Sequence, residues 1–193
     1  YVAVSGALTS LDLEWNEFGP EGGKAIGDAI RVNGALTSLN LENNMLCGVK
    51  YGQGTYDATG IKAIAGALHV NGALTALNLG RNVLGADGAA AIGEALKVNG
   101  AVTSLNLSGN RLVPKIDCEA EVEAEDDTYP LGATVVYEGR RCAVVDAQTD
   151  DYYAVLAGLS GINAIGDALR VNGALTSINL RDNDLGTAGW CAI

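Results

Sequence analysis

A single histidine, His69, is present in the whole chain, and it occupies a recurring position held elsewhere by Arg31, Lys97 and Arg170. That pattern reads as a solvent-facing helix residue, so no His-based acid–base pair or nucleophilic triad can be assembled. Neither the glycine-rich phosphate loop nor the dinucleotide fingerprint occurs. Basic residues are scarce, with 12 Lys and Arg against 23 Asp and Glu for a net charge of −11, which opposes binding to nucleic-acid phosphates. No apolar run approaches the roughly 20 residues of a membrane span. Four cysteines, Cys47, Cys118, Cys142 and Cys191, show no C-x-x-C spacing, which argues against a zinc site or a disulfide framework and favours a reducing, intracellular location, the cytoplasm first. Asp146, Gln148 and Asp150 alternate like a calcium loop but lack the Gly and the Glu that complete one. The expectation is therefore a non-enzyme, with no catalytic, metal or cofactor site, whose partners are proteins.

What the chain has is repetition. The pattern L-x-x-L-x-L-x-x-N-x-L occurs five times, with only conservative swaps at apolar positions, at Leu8 to Phe18, Leu36 to Leu46, Leu74 to Leu84, Val102 to Leu112 and Leu175 to Leu185. Between copies a second block returns, Ala25 to Asn33, Ala63 to Asn71, Ala91 to Asn99 and Ala164 to Asn172, with apolar residues at i, i+1, i+4 and i+5, one buried face of a helix. Each repeat is thus strand, turn, helix. Gly6 to Gly34 and Gly72 to Gly100 each span 28 residues, enough for a full helix on the return path. Helices are wider than strands, so the stack curves with strands about 4.8 Å apart on the inside. On these residues the chain resembles leucine-rich repeat proteins of the ribonuclease-inhibitor type, which include Ran GTPase-activating proteins and the sensing regions of NOD-like receptors. The resemblance implies an α/β solenoid, with a curved parallel sheet inside and helices outside, and a small β-hairpin-containing insertion added to it.

Recurring polar residues fit the architecture. Asn16, Asn44, Asn82, Asn110 and Asn183 stand where each strand bends away, and a buried carboxamide can satisfy backbone groups freed there. The pairs Asn33-Gly34, Asn71-Gly72, Asn99-Gly100 and Asn172-Gly173 are expected to end the helices through a left-handed residue.

Two insertions break the period. Gly34 to Gly72 is 38 residues and the surplus, Cys47 to Asp57, is Gly-rich with Tyr51 and Tyr56 as candidate partner contacts. Gly100 to Gly173 is 73 residues, and 113–158 carries eleven acidic residues against three basic ones, a balance of −8 out of the total −11. Glu119 to Asp127 reads as a solvated acidic arm. Ala133 to Tyr137 and Arg140 to Val145 read as a hairpin, with Tyr152 to Leu156 as a third strand, which makes Tyr137, Arg140 and Arg141 further contact candidates. The expected organisation is one interrupted solenoid, 1–112 and 159–193, and one insertion, 113–158. Both ends fall within repeats, and a longer parent protein is expected.

With Leu39 and Leu41 buried, strand alternation turns Ser38, Asn40 and Glu42 towards the concave side. The same register selects Asp12, Glu14, Asn78, Asn106, Asn179 and Arg181, with Trp15 and Arg81 just beyond their strands. An exposed Trp beside acids is the strongest candidate contact. The expected function is a protein–protein interaction scaffold using the concave face or the insert-bearing rim. The alternatives are a structural subunit of a larger complex and, by the resemblance, a regulator of a small GTPase.

Overall fold

A computed structural model describes residues 8–50, 52–113 and 159–185, together with the backbone of strands at 115–117, 134–137, 140–148 and 153–158. Five three-residue strands, β1 (Ser10–Asp12), β2 (Ser38–Asn40), β3 (Ala76–Asn78), β4 (Ser104–Asn106) and β9 (Ser177–Asn179), form one parallel sheet in that order. Helices α1 (Gly19–Val32), α2 (Thr59–Leu68), α3 (Gly85–Val98) and α4 (Ser160–Val171) lie between them in sequence and form the outer layer. Neighbouring helix axes need about 8–10 Å and neighbouring strands about 4.8 Å, so the sheet side is the concave side. The observed fold is the expected α/β leucine-rich solenoid.

Such short strands hold because the backbone ladder runs on past them and side chains reinforce it three times per coil. At the strand entry the hydroxyls of Thr37, Thr75, Thr103 and Thr176 each donate to the carbonyl of the matching threonine one coil back, at 3.0–3.2 Å. At the strand exit Asn82 donates through Nδ2 to the carbonyls of Leu41, Leu79 and Gly80, while its Oδ1 accepts from the N–H of Asn44 and Leu46. Asn44, Asn110 and Asn183 repeat the arrangement and are buried, so each carboxamide settles backbone groups that the narrow sheet leaves over.

The third set corrects an expectation. Asn33, Asn99 and Asn172 cap their helices in extended conformation, φ between −76 and −86°, and not through a left-handed Asn-Gly pair. The physical reason lies in their side chains. Asn71 Oδ1 accepts from the N–H of Ala73 and Leu74, and its Nδ2 reaches back to the carbonyls of Ile30 and Asn33. The helix ends are thus a second stitched ladder, and glycine's freedom is not needed there. Left-handed residues occur instead at the strand exit, where Trp15, Asn43, Arg81 and Asp182, followed two residues later by Glu17, Met45, Val83 and Asp184, have φ of 53–60°.

The inward leucines form one core from Leu36 and Leu39 to Leu185. Leu11, Leu13 and Ile178 are only partly buried, because the first and last described strands receive neighbouring side chains from one flank only. Outside, α1 packs intimately on α2 and α3 on α4, and α2 meets α3 over less surface. Glycine sets the close pairs: a Cβ at Gly27 would lie 2.7–2.9 Å from backbone atoms of Ala63 and Ile64, and one at Gly93 would lie 2.6 Å from the Ala164 carbonyl. The matching residue of α2 is Ala65, so no glycine stands at that position toward α3.

Strands β5 (Lys115–Asp117), β6 (Thr134–Tyr137), β7 (Arg140–Gln148) and β8 (Tyr153–Gly158) make a separate antiparallel sheet in the order β5-β8-β7-β6, with an irregularity between Val144 and Asp146. The solenoid runs across this interruption: β4 pairs directly with β9, and the N–H of Asn110 donates to Asn183 Oδ1 at 2.8 Å.

Candidate functional site

Strand register places the concave side chains in rows. Asp12, Asn40, Asn78, Asn106 and Asn179 align as direct neighbours across all five strands. Two residues further along come Glu14, Glu42, Gly80, Ser108 and Arg181, and next to those Trp15, Asn43, Arg81, Gly109 and Asp182. Each residue of the first row folds its side-chain oxygen back to accept the N–H two residues on, as Asn40 does from Glu42 at 3.1 Å and Asn106 from Ser108 at 3.0 Å. These local turns fix the carboxamides, and the Nδ2 atoms of Asn40, Asn78 and Asn106 lie toward the preceding coil.

In the first coils those donors are used. Asn40 Nδ2 donates to Glu14 Oε2 at 3.1 Å, and Asn78 Nδ2 to Glu42 Oε2 at 3.0 Å. Glu42 also faces Arg81, whose Nε lies 3.5 Å from Oε1. The third coil has no side chain to offer: a Cβ at Gly80 would sit 3.2 Å from Asn78 Oδ1 and 3.3 Å from both Asn106 Nδ2 and Ser108 Oγ.

The other sequence candidates fall in different places. Trp15 is 56% exposed at the edge of the face, in left-handed conformation, its N–H held by the Glu42 carbonyl at 2.9 Å. A rigid backbone therefore presents a free indole beside Asp12 and Glu14, with Arg81 and Arg181 on later coils. Tyr56 does not reach this face. Its hydroxyl donates to the Leu84 carbonyl at 2.6 Å and its ring packs on Gly85, and burial pushes its pKa up to about 12. The loop that carries it is closed on itself, with Lys50 and Gln53 exchanging backbone hydrogen bonds and Asp57 N–H reaching the Cys47 carbonyl. Lys50 is paired with Glu17. Cys47 is fully buried under the loop, and burial, seconded by the Asp57 charge, pushes its thiol up to about 12. Tyr51, and the side chains of Tyr137, Arg140 and Arg141, lie outside the described residues.

Gly80 and Ser108 are not among the sequence candidates, being small and neutral. The signal that could have marked them is the spacing Asn-x-Glu at Asn40 and Glu42, which becomes Asn-x-Gly at Asn78 and Gly80. Among the described residues no group of three or more His, Cys, Asp or Glu converges on a point that could hold a metal ion, and no helix is long and apolar enough to cross a membrane.

Comparison with known proteins agrees with this geometry. Residues 8–27, 73–93 and 174–190 match the model of the family described as Leucine Rich repeat. Among solved structures the chain is similar to leiomodin-1 actin-binding site 2, with a TM-score of 0.61 and 16% identity over 99% of this chain and 80% of that one. It is also similar to the leucine-rich repeat-containing protein LegL7 from Legionella pneumophila, at a TM-score of 0.40 and 19% identity over 95% of this chain and 51% of that one. No match is found among curated proteins.

Proposed function

We propose that the chain, whose fold is a leucine-rich repeat solenoid, is a scaffold that holds a protein partner against its concave face. The observation that carries this reading is the preorganised side-chain array. Four coils fix their carboxamides, and the first its Asp12 carboxylate, by Asx turns before any partner arrives, and Trp15 stands exposed on a hydrogen-bonded backbone at one edge. Groups held in advance lose little conformational freedom on binding, and a large aromatic side chain contributes most where it is central to a contact. The face offers binding groups and no nucleophile with a base, which supports a binding module over an enzyme.

The insertion at 113–158 is a second candidate surface. Its charge of −8 suits a basic partner, and it follows β4 in the chain as the Cys47 to Asp57 loop follows β2. The concave face is preferred because its side chains are fixed by the fold itself. A likeness of fold does not transfer a partner, but actin, named for the leiomodin-1 structure, belongs in the first assays. So does a panel of small GTPases, with nucleotide hydrolysis as the readout.

The test uses blocking substitutions. Asn78→Trp in the middle of the face and Trp15→Ala at its edge should each weaken capture of the native partner at least about 10-fold, and Asp28→Arg on the exposed side of α1 should not. Equal effects of all three, or an effect of Asp28→Arg alone, would reject the concave reading.

A further inference from the structure

We propose that the gap at Gly80 is a receptor for an acidic side chain of a protein partner, an inference that rests on the scaffold reading above. The chain itself shows which chemistry the position takes. In the two preceding coils the same place holds Glu14 and Glu42, and each carboxylate accepts from the carboxamide of the next coil, Asn40 at 3.1 Å and Asn78 at 3.0 Å. Asn106 is the next member of that row, in register with Asn78, and its Oδ1 is turned back on Ser108 N–H in the same way. Its Nδ2 therefore points at Gly80 and donates to nothing.

The surroundings favour a carboxylate over a neutral acceptor. The Ser108 hydroxyl lies the same 3.3 Å from the missing Cβ as Asn106 Nδ2 and can supply a second donor. Arg81 follows directly and already reaches Glu42, and Arg181 stands in the same row two coils on. Asn78 Oδ1, the acceptor near the gap, is engaged by the N–H of Gly80 at 3.0 Å, just as Asn40 Oδ1 is by Glu42, so it opposes an incoming carboxylate no more than Asn40 opposes Glu42. Charge-assisted bonds of this kind are roughly twice as strong as neutral ones. The acids of the first two coils also repel an acidic segment from that end of the face, which directs it to the third coil. The third coil thus offers donors to negative charge within a chain of net charge −11.

The test reads the side-chain amide resonances of Asn106 by 15N–1H correlation while a capped hexaglutamate peptide is added, with capped hexaglutamine as the control. The first should shift the Asn106 resonances and the second should not. Gly80→Glu supplies the carboxylate from within. Gly80 has no positive φ and the atoms around it are side-chain ends at 3.2–3.3 Å that must shift by a few tenths of an ångström, so the variant should still fold cooperatively. In it the Asn106 amide should move toward the positions of Asn40 and Asn78, and the affinity for hexaglutamate should fall by about 10-fold or more. Failure of hexaglutamate to move Asn106, or a response that persists undiminished in Gly80→Glu, overturns the proposal. If Asn78→Trp still blocks the native partner in that case, the scaffold reading stands without the receptor. If hexaglutamate moves Asn106 but Asn78→Trp leaves the native partner bound, the assignment to a protein partner is overturned.

Discussion

Gly27→Ala and Gly66→Ala place the same methyl group, one helix apart, in opposite surroundings. In an unobstructed helix either change should stabilise by about 0.5–1 kcal/mol, because alanine gives up less backbone freedom on folding. At Gly66 the nearest atom to the new Cβ is Arg31 Nη2 at 3.5 Å, an ordinary contact with a mobile side chain, so the gain should appear in full. At Gly27 the new Cβ meets the Ala63 carbonyl carbon at 2.7 Å, its oxygen at 2.8 Å and the Ile64 nitrogen at 2.9 Å. All three are backbone atoms of α2 and cannot step aside alone. Overpacking of this kind costs roughly 1–3 kcal/mol, and α1 must move away from α2, so the helix-propensity gain is outweighed and a net loss of about 1–2 kcal/mol is expected. Urea denaturation followed by circular dichroism measures both, with the slope m unchanged if only stability has altered. A Gly27→Ala variant as stable as Gly66→Ala would refute the claim that glycine sets the α1–α2 spacing.

Three further outcomes follow from the ladders, the Cys47 thiol buried under its loop and the continuity of the sheet. Asn82→Asp keeps the shape but turns a carboxylate oxygen toward the carbonyls of Leu41, Leu79 and Gly80, and should cost on the order of 3–5 kcal/mol by denaturant titration, far more than a change at exposed Asn16. Cys47 and Tyr56, both raised to about 12 from 9.0 and 10.0, stabilise the fold fully below pH 9. The unfolded chain releases these protons first as pH rises, so stability should decline from about pH 9 for Cys47 and pH 10 for Tyr56 until about pH 12. Cys47→Ala should remove the earlier limb of that decline in a pH series of melting temperatures. Excising the insertion, with Leu112 joined to Gly161 by a link copied from Leu84 to Gly88, should preserve the solenoid's circular dichroism and cooperative melting, since β4 already pairs with β9. Loss of folding would show that the insert belongs to the core.

Where the sequence repeats, it could be read directly. The alternation around Leu39 and Leu41 determined which side chains face inward, and the recurrence of Asn44, Asn82, Asn110 and Asn183 announced a ladder before any coordinate was known. The helix ends differ from that reading because Asn71 and Asn99 act through carboxamides that bond to the previous coil, a partnership between repeats that no local propensity encodes. Tyr56 looked free for the same reason. Its partner, the Leu84 carbonyl, lies 28 residues on in sequence and one coil away in space. The Gly80 gap was equally hidden: a missing side chain becomes visible only when register sets it beside Glu14 and Glu42 and shows the donor left over on Asn106.

The most direct test of the concave reading is photo-crosslinking from single positions. A benzophenone amino acid in place of Ser104, on the exposed concave side of β4, should capture the native partner in high yield. The same group in place of Lys24, exposed on the helical side, should capture none. Capture from position 24 with none from position 104 would contradict the account and move the binding surface to the outer helices.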